Sequence, residues 1–147
     1  MRFMLLLKGD PQVDGDSTDA ISQPPEELIG AMLKYNEDLA KAGVLLAGEG
    51  LYPSASGARV IYKDGKRTVV DGPFAEAKEL IAGFYIIQVR SREEAIEWAS
   101  RCPVDVAVGP GQEAVVEVRQ VGESEELENM TEDQRSTERA LRASLES

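Results

Sequence analysis

The order of apolar and polar side chains divides this sequence into short strands, two amphipathic helices and a polar C-terminal stretch. In residues 2–8, Phe3, Leu5 and Leu7 fall on one side of an extended segment and Met4 and Leu6 on the other. Apolar side chains on both faces predict a strand covered on both, and so a central one. Residues 9–24, rich in Asp, Pro, Ser and Gly, predict a loop. From Pro25 onward, Leu28, Ile29, Met32, Leu33, Tyr35, Leu39 and Ala40 recur at the 3.6-residue period of a helix. Pro25 suits the first turn, Glu26 and Glu27 complement the helix dipole, and Gly43 ends the helix as its C′ residue.

Val44 to Leu51 reads as the next strand. Ala58–Tyr62 and Arg67–Val70 flank Asp64-Gly65, the dipeptide most typical of a tight hairpin turn. Residues 75–80 predict a brief helix. Residues 81–90 predict a strand with Ile81, Gly83, Tyr85, Ile87 and Val89 on one face and Ala82, Phe84, Ile86, Gln88 and Arg90 on the other. Ser91-Arg92-Glu93-Glu94 has the form of a capping box, the serine oxygen taking the third N–H and the glutamate reaching back to the serine N–H. The helix behind it buries Ala95, Trp98, Ala99 and Cys102 and stops at Pro103. Residues 114–121 form the last strand, with Ala114, Val116 and Val118 on its apolar face. A second capping box, Thr131 to Gln134, opens a thin apolar stripe at Leu141 and Leu145, a helix docked on a partner or a frayed segment.

In order, the elements are β-α-β, a hairpin, then β-α-β. Without the hairpin this is the ferredoxin-like split βαβ pattern: a four-stranded antiparallel sheet with both helices on one face. The other face, apolar enough to need cover, predicts pairing with a second copy and a cavity between the two sheets.

Charge and composition narrow what such a cavity can do. The 147 residues carry 27 acidic and 16 basic side chains, a net charge of −11, with no histidine and one cysteine. The absent histidine removes Ser-His-Asp and Cys-His nucleophiles, His-rich metal sites and His proton shuttles. One cysteine excludes an intrachain disulfide framework. The acidity argues against nucleic acid and against anionic membranes as partners. Residues 122–147 hold eight acidic side chains and three arginines, net −5, which separates a folded body (1–121) from an acidic tail (122–147). The apolar run at the start is too short for an export signal or a membrane span, so the cytoplasm is the expected location.

Asp71-Gly72-Pro73-Phe74-Ala75-Glu76-Ala77-Lys78-Glu79, followed by Gly83-Phe84-Tyr85, resembles the DGPF-domain branch of the YCII-related family. Glu49-Gly50-Leu51, Ala95-Ile96-Glu97-Trp98-Ala99 with Cys102-Pro103, and Val116-Glu117-Val118-Arg119 extend the resemblance over about residues 1–121. It implies an α+β fold of the dimeric α+β barrel type. Most proteins of this kind have no assigned reaction, and many are encoded beside sigma factors of the extracytoplasmic-function type. Other branches pair a first-helix histidine with an aspartate, but residues 28–35 here read Leu-Ile-Gly-Ala-Met-Leu-Lys-Tyr and offer no such histidine.

Any chemistry is left to carboxylates and a lysine. Asp71 is a candidate general base if burial raises its pKa, or else a cap for the turn and short helix that follow. Glu49, a charge in an apolar strand, is a candidate to pair with Asp71 across the cavity or with Lys78 as an ion pair, or else an interface or solvated edge residue. Lys78 is the candidate electrophilic or anion-binding group. Phe74, Tyr85 and Arg119 are candidates to line the cavity, with core or rim positions as the alternative. Asp10, Asp14, Asp16 and Asp19 crowd one loop without the register of a calcium-binding loop. No cofactor or metal is implied. Two functions remain: a homodimer that binds a small organic molecule, with isomerase- or lyase-type proton transfer by Asp71 and Glu49, or a non-catalytic accessory or regulatory binding protein. Catalysis requires both carboxylates to reach one enclosed cavity.

Overall fold

The computed structural model describes residues 1–9, 24–74, 80–108 and 110–146. Its elements are β1 (Arg2–Lys8), α1 (Glu26–Lys41), β2 (Leu45–Gly50), β3 (Ala58–Lys63), β4 (Lys66–Asp71), β5 (Ile81–Gln88), α2 (Arg92–Ser100), β6 (Val116–Gln120) and α3 (Glu132–Glu146). Four strands form one antiparallel sheet in the order β2-β5-β1-β6, and β3 and β4 form a separate two-stranded sheet. With β1 and β5 at the centre and both helices packed on one side, this is an α+β architecture consistent with a ferredoxin-like fold. The segment expected as a short helix, residues 75–80, lies outside the described residues except for Leu80, as does most of the loop at 9–24.

The core lies between the sheet and the two helices. Phe3 and Leu5 of β1 and Tyr85 and Ile87 of β5 meet Tyr35 and Leu39 of α1 and Ala95, Trp98 and Cys102 from α2 and its end. The period-2 pattern of β1 and β5 therefore holds, register included: Leu5 faces Tyr85 and Phe3 faces Ile87 across the pair. In α1 the buried line is Tyr35 and Leu39, with Leu28 and Met32 half-buried. Ile29 and Leu33 belong to the predicted stripe but are exposed, because the helix turns only a narrow line of side chains to the sheet.

Helix α1 ends as its sequence dictates, and α2 stops at Ser100, before the expected Pro103. Gly43, at φ 73°, takes the left-handed position after α1. Its N–H donates to Ala40 O (3.0 Å) and that of Val44 to Leu39 O (3.2 Å), the paired bonds of a Schellman motif. At α2 the Glu94 N–H donates to Ser91 Oγ (3.1 Å) as expected, but the Glu94 carboxylate accepts from the Arg90 N–H (2.9 Å) rather than from that of Ser91. The Arg90 amide lies just before the helix and has no strand partner, so it is the free donor within reach. In the hairpin, Asp64 (φ 53°) and Gly65 (φ 74°) both have positive φ, as a type I′ turn requires.

Residues 124–126 form a 3-10 turn after β6, and α3 opens on the predicted capping box. The Gln134 N–H donates to Thr131 Oγ1 (3.1 Å) and the Thr131 N–H to Gln134 Oε1 (2.8 Å). Among the described residues, no helix is long and apolar enough to cross a membrane.

Candidate functional site

The face of the sheet on which no described helix packs is laid out by strand register. One row across it runs Ala47, Ile86, Met4, Arg119, and the next runs Glu49, Phe84, Leu6, Glu117. The centre is therefore apolar and the two edges are charged. Adjacent strands lie about 4.8 Å apart and rows ~7 Å apart, so Glu49 on β2 and Arg119 on β6, in neighbouring rows at opposite edges, stand ~16 Å apart. Arg119 is ion-paired with Glu117 two residues before it (3.3 Å), and both sit on this open face.

Tyr85 is not part of that face. Its ring is buried on the helix side, 5.5 Å from the Tyr35 ring and edge-on to it. The Tyr85 hydroxyl donates to Asn36 Oδ1 and the Tyr35 hydroxyl to the Trp98 carbonyl (2.7 Å), so both phenols tie α1 into the core. Burial, reinforced by the nearby Cys102, pushes the Tyr85 phenol up to about 12. Burial, reinforced by Asp105, likewise pushes the Cys102 thiol up to about 11, which leaves it a packed and unreactive side chain. Gly48 lets the Tyr85 ring lie flat on β2, since a Cβ there would stand 2.7 Å from it.

Asp71 ends β4 at the base of the hairpin, exposed, and its carboxylate accepts no hydrogen bond from any described residue. The chain after it is held by backbone packing. Gly72 donates to Gly57 O (2.9 Å) and sits so close to the 54–56 turn that a Cβ would fall 1.7 Å from Ser54 O. The Gly72-Pro73 peptide bond is cis. Phe74 donates its N–H to Ser54 Oγ (3.0 Å), and the Arg59 guanidinium stacks 3.7 Å over its ring. Phe74 thus holds the hairpin to the turn at 53–57 and does not line the open face. Lys78 lies outside the described residues, as do Asp10, Asp14, Asp16 and Asp19. Among the described residues, no three acidic or cysteine side chains are placed to hold a metal ion.

The structure therefore gathers only Glu49 and Arg119 on one face, at opposite edges. It sets Asp71 and Phe74 on the hairpin and puts Tyr85 in the core. A groove of about 710 Å³ lies elsewhere, between α2 and the edge strand β6, where Ile96, Cys102, Val104, Val116 and Val118 line it and none of the five described candidates does. The sequence reading missed this groove and the clamp at residues 53–57. The clamp had a signal in Gly57 and Gly72, two glycines whose spacing only the folded chain explains.

Comparison with known proteins places this arrangement. An uncharacterised protein of Rhizobium meliloti (strain 1021) is 34% identical over 100 residues, 67% of this chain and 77% of that protein. The model of the YCII-related domain family matches residues 1–124, which takes in the whole sheet, both core helices and the hairpin and leaves α3 outside. With strand order, core and match in agreement, this chain belongs to the YCII-related domain family.

Proposed function

We propose that this chain works as a homodimer whose two open sheet faces pair and enclose a pocket for a small organic molecule, and that it binds this molecule without transforming it. The observation that carries the reading is the apolar centre of the helix-free face, Met4, Leu6, Phe84 and Ile86, on the two central strands. A contiguous apolar sheet face left in water is unusual for a monomer. Two such faces pack about 10 Å apart, and side chains shorter than the gap leave space for a ligand. Glu49 and Arg119, at the two edges, would supply polar contacts at the rim of that space.

Binding is favoured over proton transfer by the position of the carboxylates. Glu49 stands on the sheet face and Asp71 on the exposed hairpin, neither held by a described neighbour in the manner of a tuned acid–base pair. Sedimentation equilibrium tests the assembly. Wild type should run at about 32 kDa, twice the 16.0 kDa chain. Leu6→Lys, which puts a charge in the middle of the paired faces, should run as the single chain with its far-UV circular dichroism unchanged. Wild type sedimenting as a single chain at micromolar concentration would overturn the reading. A native mass spectrum of the dimer should retain a small molecule that Leu6→Lys loses.

A further inference from the structure

Two elements of this chain show apolar faces that no described residue covers. Every residue of β3 and β4 is exposed except the half-buried Arg59. Register places Val60 and Tyr62 on one face of the hairpin with Val69 and Arg67, and these three apolar side chains are 52%, 72% and 65% exposed. A lone two-stranded hairpin is at best marginally stable in water. At the other end of the chain, α3 shows Leu141 and Leu145, one turn apart, to solvent. Its principal contact is with the 124–126 turn, through Ser124 Oγ and the Glu138 carboxylate (3.0 Å). A helix of this length has little stability of its own. The two elements also differ in charge: hairpin residues 58–71 carry four basic and two acidic side chains, net +2, against the −5 of residues 122–147.

Their positions forbid an easy meeting within one chain. Gly50 pairs with Gly83 and Lys8 with Ile81, so the hairpin hangs from one end of the sheet, on the β2 edge. Phe3 pairs with Gln120, so β6 finishes at the opposite end and on the opposite edge. There Arg2 holds the root of the tail by two bonds to Glu123 (2.7 and 2.9 Å). The two roots are therefore diagonal corners of the sheet, ~14 Å apart across the strands and ~20 Å along them. Face-to-face pairing removes one of these separations. A two-fold axis along the strands lays the β6 edge of one copy over the β2 edge of the other. A two-fold axis across the strands brings the end that carries the tail onto the end that carries the partner's hairpin. Helix α3 is held at Ser124 through Glu138, and its last eight residues, about 12 Å at 1.5 Å per residue, reach on toward what remains.

We propose that the C-terminal helix of one copy docks on the β3–β4 hairpin of a second copy, Leu141 and Leu145 against Val60, Tyr62 and Val69, with the acidic tail beside Arg67 and the lysines of the hairpin tip. The proposal rests on the face-to-face pairing above and adds to it a pair of exchanged arms.

Two full-length variants test it. Tyr62→Cys marks the hairpin and Leu145→Cys marks the tail, both at exposed positions, and wild type with its buried Cys102 is the control. The two variants, one of them tagged, are mixed and mildly oxidised. A disulfide-linked pair of one tagged and one untagged chain, absent from the control and depleted by high salt, is the expected result. If the mixture sediments near 32 kDa yet yields no such mixed pair, the arm exchange is overturned and the dimer stands. In the double variant Tyr62→Cys/Leu145→Cys, a disulfide that forms only within single chains overturns it too, in favour of the tail folding back on its own hairpin. Sedimentation as single chains overturns the face-to-face reading and the arms with it.

Discussion

Gly72 is the residue whose side chain, or lack of one, does most to seat the hairpin. With Ser54 O only 1.7 Å from where a Cβ would stand, Gly72→Ala must push the 54–56 turn away and with it the Ser54 hydroxyl that receives the Phe74 N–H. Overpacking of this kind costs about 1–3 kcal/mol, and urea unfolding should show a loss in that range while Gly50→Ala, where a Cβ meets nothing, does not. Tyr85 shows why single residues were partly legible in the sequence. Alternation along 81–90 already grouped it with Gly83, Ile87 and Val89. It could not say which face of β5 the helices cover, because Phe84 and Ile86 make the other face equally apolar. The face was settled by pairing, where Leu5, Tyr85 and Gly48 line up beneath α1, and by the Asn36 oxygen that receives the hydroxyl. The same limit applies to Glu49, where of the two flanking glycines only Gly48 serves a close approach, to the Tyr85 ring.

At the scale of elements, local chemistry was legible wherever it is self-contained. The Asp64-Gly65 turn, the Thr131 cap and the Gly43 stop each depend on residues a few positions apart and formed as the sequence indicates, and at Ser91 the serine half of the box formed while Glu94 took the Arg90 N–H instead. Gly43→Ala tests the strongest of these: an alanine held at φ 73° costs about 1–2 kcal/mol, so thermal unfolding should shift down by several degrees. Gly122→Ala, at a glycine whose φ is not in the left-handed region, should leave the midpoint in place. What local rules could not reach was the width of the apolar stripe on α1. Ile29 and Leu33 satisfy the helical period as well as Met32 and Tyr35 do, and only the crossing of helix over sheet leaves them in water. The groove beside β6 escaped for a related reason, since its walls come from α2, the turn at 104–107 and β6, which are distant in sequence.

At the scale of the whole molecule, the link between body and tail is electrostatic and titrates. The Arg2 guanidinium, hydrogen-bonded to the Glu123 carboxylate, holds that carboxyl below its ordinary value. A depressed carboxyl stabilises the fold above its unfolded pKa, near 4.5, and loses that contribution as pH falls through the lower, folded value. Carboxyl resonances followed by NMR should give Glu123 a midpoint below the ordinary glutamate value of 4.5. Arg2→Met should return it to the ordinary range and free the 124–126 turn. The net charge of −11 is shared between body and tail, so salt should act on the tail's contacts more than on the core, where burial shields little charge.

The pairing of Phe3 with Gln120 carries one more consequence. β1 and β6 are antiparallel neighbours, so the first and last strands of the sheet begin and finish side by side. Topologically the body is nearly a closed ring with a small gap, and the order in which the chain visits its strands is a convention that a linker could rewrite. Joining the two strand ends and opening the loop at Asp64-Gly65 would yield a permuted chain with the same sheet and the same core. What defines this molecule is the set of neighbours each strand has, and the place where the polypeptide starts is incidental to it.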